Sequence, residues 1–396
     1  MTDVVVLATA DWEHLLWTNK QHVSLSLAEA GCRVLYVESL GLRPAKANGR
    51  DLKRITQRLW HGLCPPRRVR ANLWVWSPLV IPGGTSSFVI WINRLSLAFG
   101  LGLALRMLGF RKPWLWTYNP LTLSVLDLSS FSLRIYHAVD AVEEQPCMPH
   151  SLIEREERRL CRKVDQVFVT SPALKRKLAP YSLHIRFDPN VADHAHFSKA
   201  MTLPSSCIPA DLVTIPEPRI GFIGAVSSYK LDFSLIKDVA RTNPAWQFVF
   251  IGPTGEGEPH TDTSLLQSEP NVHLLGQRPY SILPNYCAGF DCGWLPLRLN
   301  PYTESMFPMK FFEYLAAGLP VVATAIDALG QFGHAAMLCH PNGKEFSKAL
   351  HLCLLNKGHN LALRQALATE HTYSARTRRM LSALEDIKQS EAVRAR

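Results

Sequence analysis

Pro308-Met309-Lys310-Phe311-Phe312-Glu313-Tyr314-Leu315-Ala316-Ala317-Gly318-Leu319-Pro320-Val321-Val322-Ala323-Thr324 is the stretch that decides the fold of this chain. A helix opens after Pro308, closes at Gly318 and feeds a short β-branched strand, Val321–Thr324. Lys310 and Glu313 stand three apart, so they share one face near the helix start. Free N–H groups and the positive end of the helix dipole, with a lysine beside them, suit a diphosphate. A carboxylate one turn along can accept hydrogen bonds from ribose hydroxyls. The same spacing also describes an ordinary surface ion pair on an amphipathic helix, and spacing alone does not separate the two.

Outward from this stretch the chain alternates short apolar runs with helical patterns. Val4–Ala8 precedes a helix around Lys20–Ala30, which Gly31 closes, and Arg33–Val37 follows as a β-rich run. Trp114–Tyr118, Leu133–His137 and Gln166–Thr170 are further strand candidates, with a charged helix over Leu152–Lys163. The pattern dissolves across Ala195–Pro218, where Pro204, Pro209, Pro216 and Pro218 mark a linker. It restarts at Arg219–Ile223 and continues through Gln247–Gly252, Val272–Leu275, Phe290–Leu295, Val321–Thr324 and Ala336–Cys339. A final helix over about Ser374–Val393 has no strand after it. Repeated β-α-β units argue for parallel, doubly wound sheets. The expected fold class is therefore α/β, with two Rossmann-like domains facing a cleft. Residues 1–200 form the first domain and residues 217–373 the second, and the terminal helix (about 374–396) packs back on the first.

A length of 396 residues suits two domains of ordinary size. Hydrophobic residues at 47% against charged residues at 19% supply enough apolar material for buried sheets. The start, Met1–Ala10, has no basic segment ahead of its apolar run and reads as a strand rather than a signal peptide. Nine cysteines are scattered without a C-x-x-C pair, which fits a reducing compartment and indicates neither a zinc site nor a disulfide framework. The net charge of +10 is concentrated: Arg43, Lys46, Arg50, Lys53, Arg54, Arg58, Arg67, Arg68 and Arg70 face only Asp51, with Trp60, Trp74 and Trp76 interleaved. Such a mixture suits an anionic membrane surface, and it equally describes a solvated basic face. Nucleic acid is disfavoured because no recognised binding module accompanies the charge. Phe88–Phe110 is apolar enough to suggest a membrane span, but Asn93, Arg94 and Arg106 interrupt it. A charge near the centre costs a spanning helix about 2.5–3.5 kcal/mol. The expectation is a buried or surface-lying helix that does not span.

The Pro308–Thr324 stretch resembles the P-x-K-x-x-E-Y-x-A-x-G-x-P-V-V signature of the group 1, GT4-like family of bacterial GT-B glycosyltransferases, near those of teichuronic acid and exopolysaccharide synthesis. Other segments fall in the family's order: Tyr136–Asp140, Val164–Ser171, Asp188–Asp193 followed by Phe197, Ile220–Ala225, Asp232, Phe248–Pro253, Asn271–Gly276 and Phe290–Pro296. Two positions depart from it. Many relatives carry a glutamate eight residues before the second one, and that place is Ser305 here, with Glu304 one residue off. The glycine of the family's P-N-G-V-D crossover is Val191.

The resemblance implies transfer of a sugar from a nucleoside diphosphate sugar, UDP- or GDP-linked, to a hydroxyl of a glycan or lipid-linked acceptor of the cell surface. It implies retention of anomeric configuration. Donor residues would be Gly224 and Ala225 at the glycine turn, Lys310 at the diphosphate and Glu313 at the ribose. Lys230 and Arg278 are candidate further cations, though each also reads as a surface residue, and Phe307 precedes the signature. On the acceptor side the candidates are Asp140 and His137 at a strand end and Asp11 after the first strand, able to orient a hydroxyl or move a proton. A hydrogen-bonded structural role serves His137 equally well. No D-x-D motif stands at a strand end, so metal-independent chemistry without a cofactor is expected. The expected location is cytoplasmic, peripheral to the inner membrane face. Two alternatives stay open: a nucleotide-sugar epimerase of the same fold, and a non-catalytic scaffold in a polysaccharide assembly complex.

Overall fold

The protein was analysed as a computed structural model that describes residues 1–14, 17–40, 62, 64–81, 87–255, 258 and 261–394. Arg43, Lys46, Arg50, Lys53, Arg54, Arg58 and Trp60 of the basic segment lie outside the described residues. Two sheets organise the chain. The first comprises β1 (Asp3–Leu7), β2 (Arg33–Val37), β3 (Arg67–Arg70), β4 (Leu73–Trp76), β5 (Trp114–Thr117), β6 (Leu133–Ala138), β7 (Gln166–Val169) and β8 (Ile185–Phe187). Their order is β3-β4-β2-β1-β5-β6-β7-β8, and only the β3–β4 pair is antiparallel. The second sheet is wholly parallel: β9 (Arg219–Ile223), β10 (Gln247–Ile251), β11 (Val272–Gly276), β12 (Cys292–Leu295), β13 (Val321–Thr324) and β14 (Met337–Cys339), in the order β11-β10-β9-β12-β13-β14. The central strands are apolar on both faces, as sheets covered by helices require.

The helices that matter below are α1 (Asn19–Glu29), α2 (Ser87–Leu108), α3 (His150–Cys161), α4 (Pro172–Leu178), α5 (Pro301–Ser305), α6 (Lys310–Ala316) and α7 (Tyr373–Arg394). Helix α7 belongs spatially to the first sheet, where Met380 and Leu384 join Val23 and Leu27 of α1 in one core. Strand order reverses beside β1 in the first sheet and beside β9 in the second. Those reversals open crevices at the carboxyl ends of the strands, where ligands of doubly wound folds bind.

Three places differ from the sequence reading. The proline-rich Ala195–Pro218 linker is packed rather than loose, with short helical turns at His194–Phe197, Ser198–Met201, Ser205–Cys207 and Ala210–Val213. Phe197 and Leu212 are buried in the second core, and Pro204 and Pro209 each precede a turn. Strands β3, β4 and β8 had no place in it. The first reads as a bare run of arginines, which an edge strand keeps in water. Strand β12 starts at Cys292, not Phe290, because the Phe290 ring turns onto Gly221, where any Cβ would stand 2.1 Å from it.

Close approach also fixes Gly252. A Cβ there would lie 1.9 Å from the Gly224 carbonyl oxygen, a backbone atom that cannot yield without moving the glycine turn. Gly102, inside α2, meets nothing within 4 Å. Gly252→Ala should therefore destabilise by about 2 kcal/mol or more, whereas Gly102→Ala should stabilise by about 0.5–1 kcal/mol through reduced chain entropy. Denaturant unfolding of both variants checks the opposite signs.

Candidate functional site

The candidate donor side is built on the end of β9. Its last amide, Ile223 N–H, donates to the Tyr314 hydroxyl at 2.7 Å, so the tyrosine next to Glu313 ties α6 to the strand that launches the glycine turn. Gly224 N–H donates to the Ile251 carbonyl at 2.8 Å, which locks the turn to β10. Ala225 is buried behind it. Beyond the turn, Arg298 N–H donates to the Lys230 carbonyl and Asn300 Nδ2 to the Tyr229 carbonyl at 2.7 Å, which joins this loop to the start of α5. Lys230 itself lies over the Tyr229 ring.

Lys310 and Glu313 pair with each other, Nζ to Oε2 at 2.6 Å. The pair is not a surface pair. Glu313 is 4% exposed, and Lys310 lies over the Phe197 ring of the chain crossing between the sheets. Helix α6 has only seven residues and no side-chain cap, so the lysine charge contributes more here than the helix dipole.

The two halves meet at a buried polar joint beside this pair. Asn19 Nδ2, at the start of α1, donates to Asn190 Oδ1 at 2.8 Å, and Asn190 Nδ2 donates to the Phe307 carbonyl at 2.7 Å. Arg376 of α7, fully buried, donates to Asn19 Oδ1 at 2.6 Å and to the Pro189 carbonyl at 3.2 Å. The Ser171 hydroxyl caps α4 by accepting from Leu174 N–H and donates to the Ser305 carbonyl at 2.7 Å. Around the joint the His22 ring stacks on Tyr373 at 4.3 Å, and His196 stacks on Tyr280 at 4.4 Å. Burial first, then the charges of Arg376 and Lys310, push the His22 imidazole down to about 3.

The acceptor-side candidates separate. Asp140 lies just past the end of β6; burial raises its carboxyl pKa, while Lys20 of α1 and Lys230 of the second half pull it back. The charges of two cations from opposite halves therefore act on this carboxyl through space. His137 is 0% exposed. Its ring stacks on Tyr118 at 5.0 Å, its Nδ1 accepts from Trp116 Nε1 at 3.3 Å, and burial holds it neutral. The structure gives His137 a place in this aromatic stack, with its Nε2 buried and without a hydrogen-bond partner. Asp11 is half-buried in the turn after β1, where its carbonyl accepts from Gln21 Nε2 at 3.0 Å.

Two donor candidates are engaged elsewhere in the fold. Arg278 is committed to Asp211, at 2.7 Å, and to the Tyr286 hydroxyl, at 2.8 Å, and this clamp holds its pKa up. The Phe307 side chain is buried among Phe311, Phe312 and Phe332, and only its carbonyl serves the joint. Glu304 and Ser305 line a pocket of about 330 Å³ with Arg176 and Asp327, which pair at 2.7 Å across the two halves. Lys20, His22, Asn19, His196, Tyr280 and Arg376 escaped the sequence reading. The one available signal was the run of polar residues in α1, Asn19, Gln21, His22, Ser24 and Ser26, all of which the fold buries.

Comparison with known proteins places this geometry. Residues 217–356 match the family model described as glycosyl transferases group 1. A 109-residue stretch is 38% identical to the putative teichuronic acid biosynthesis glycosyltransferase TuaH of Bacillus subtilis (strain 168). That match covers 28% of this chain and 27% of TuaH, about a quarter of the relative's length. Sucrose-phosphate synthase from Thermosynechococcus elongatus superimposes with a TM-score of 0.72 at 15% identity, over 98% of this chain and 100% of that one. HepE of Anabaena, solved in complex with UDP-glucose, gives 0.67 at 16%, over 97% and 100%. The E. coli trehalose-6-phosphate structure bound with UDP-2-fluoro glucose gives 0.66 at 12%, over 98% and 99%. The fold is GT-B, and residues 217–356 in its second half are similar to group 1 glycosyl transferases.

His22 is neutral in the fold but protonates near 6.5 once unfolded, so acid favours the unfolded chain. Stability should fall with decreasing pH by about 1.4 kcal/mol per unit for this one proton, between roughly pH 6 and pH 4. His22→Phe keeps the stack on Tyr373 and removes the proton site. Urea unfolding across this range should show a slope reduced by about one proton, and an unchanged slope would mean that His22 titrates alike folded and unfolded.

Proposed function

We propose that this chain, with a group 1 glycosyltransferase domain set against a second Rossmann-like half, transfers a sugar from a nucleoside diphosphate sugar to a hydroxyl of a glycan or lipid-linked acceptor. The observation that carries the reading is the ion pair of buried Glu313 with half-buried Lys310, where the halves meet. A lysine held there by a carboxylate is a cation of fixed position. With donor bound, Lys310 turns to the diphosphate and Glu313 accepts from the ribose hydroxyls. The backbone after β9 receives the phosphates, since Gly224 has no side chain to keep them off.

In the transfer, the bond between the anomeric carbon and the diphosphate oxygen breaks, a bond to the acceptor oxygen forms, and the proton of the acceptor hydroxyl passes to the departing phosphate. The nucleoside diphosphate leaves with the electron pair, and Lys310, with Lys230 of the loop after β9, stabilises the growing charge. Asp140, within electrostatic reach of Lys20 and Lys230, orients the acceptor hydroxyl. These protein cations do the work often given to a metal ion, and the likeness to GT4-like enzymes supports retention of configuration. Solved proteins of this fold hold UDP-glucose and UDP-2-fluoro glucose, which supports a nucleotide sugar as donor. All nine cysteines are free, which suits work in the cytoplasm.

A panel of UDP- and GDP-sugars tests the proposal. One donor should stabilise the protein by about 2.7 kcal/mol when present at about a hundred times its Kd. Lys310→Ala and Glu313→Ala should each weaken that donor about tenfold or more, roughly 1.4 kcal/mol. Nucleotide release should require a membrane or glycan extract as acceptor. Turnover of the donor without any acceptor would favour the epimerase, binding without turnover the scaffold, and stabilisation by no nucleotide would overturn the reading.

A further inference from the structure

We propose that the outer face of α2, together with the arginines beside it, is a docking surface for an anionic phospholipid bilayer. The inference goes beyond the transferase reading and does not depend on it. Helix α2 is long and apolar enough to cross a membrane, but its inner face is fastened to the first sheet. Leu97, Leu101 and Ala104 are buried there. Asn93 exchanges two hydrogen bonds with Ile81, at 2.7 and 2.9 Å, and Ser96 donates to the Leu79 carbonyl at 2.6 Å. Gly100 lies so close to the Trp76 ring that a Cβ would meet it at 2.7 Å.

The opposite face is apolar where an ordinary surface helix would be polar. Phe88, Trp91, Leu95, Phe99, Leu103 and Met107 recur at steps of three or four, and all are exposed, Phe99 at 78% and Phe88 at 68%. A continuous apolar stripe of this length is rare on a monomer and marks an interaction surface.

Charge identifies the partner. From Leu52 to Leu126 the chain contains ten Lys or Arg and no Asp or Glu, so this one stretch holds as much positive charge as the whole protein's net +10. Among the described residues, Arg94 and Arg106 are exposed on α2 itself, and Arg111 and Lys112 follow its end. Arg68 of the edge strand β3 lies over Trp74, which packs edge-on against Phe110 just beyond α2, so the basic edge joins the apolar face. A second protein would need matching acids, and a second copy would bring the same cations against these. Anionic lipid meets both halves of the pattern, since apolar side chains enter the acyl boundary while each nearby cation gains about 1 kcal/mol from the surface charge.

The test is co-sedimentation of the full chain with vesicles of phosphatidylglycerol and phosphatidylcholine in equal parts, against vesicles of phosphatidylcholine alone. The wild type should bind the anionic vesicles, and bind more weakly as salt rises. Trp91→Glu with Phe99→Glu, both on the solvent side of α2, should lose about tenfold or more of that binding at unchanged melting temperature. Arg94→Glu with Arg106→Glu should lose binding to anionic vesicles in the same way. Wild type left in the supernatant with both vesicle types overturns the proposal, as does undiminished binding by the aromatic variant. A dimer in solution that the aromatic variant converts to monomer, without vesicle binding, would assign the face to a second copy. Donor-induced stabilisation measured alongside reads the transferase proposal separately.

Discussion

Asn19, Asn190 and Arg376 converge where three distant parts of the chain must meet. The amide of Asn19 ties α1 to the crossover segment, Asn190 ties the crossover to the carbonyl before the Pro308 signature, and Arg376 ties α7 to both. Each of these groups is buried, and a buried polar group left without its partner costs about 1–3 kcal/mol. Any other placement of the two sheets would strand several of them at once. The joint therefore selects one relative arrangement of the halves, and the arrangement sets where the cleft runs.

The candidate chemistry follows from that placement. Phe307 gives its carbonyl to the joint, and three residues later Lys310 begins α6, so the joint fixes the start of the helix that presents the ion pair. From the other side Tyr314 holds the end of β9 and thereby the glycine turn. One short helix thus positions a cation, a carboxylate and the backbone after β9 together. Asp140 arrives from the first sheet within electrostatic reach of Lys230 from the second. The bilayer face on α2 lies on the same first half that is expected to take the acceptor.

Most of the fold was legible because parallel strands buried on both faces leave unmistakable apolar runs, and Arg33–Val37, Arg219–Ile223 and Val321–Thr324 emerged with their bounds intact. What escaped had no local mark. Strand β3 is a row of arginines whose character as a strand comes only from pairing with β4. Arg278 looked free in sequence, and only the fold brings Asp211, 67 residues away, against it. His137 read, like Asp140, as a strand-end residue facing the cleft, and only the fold shows its ring buried against Tyr118 and Trp116. The Lys310–Glu313 pair was visible as a pair, but its burial depends on Phe197 and on the opposite half of the molecule. Spacing shows which residues share a face, and only tertiary structure shows what that face meets.

A structure of the protein with a bound nucleoside diphosphate tests the central claim most directly. The account predicts that Lys310 Nζ leaves Glu313 for the diphosphate, that the Glu313 carboxylate accepts from the ribose diol, and that the backbone after β9 lines the phosphates. A nucleotide bound elsewhere, with the Lys310–Glu313 pair still closed, would contradict it.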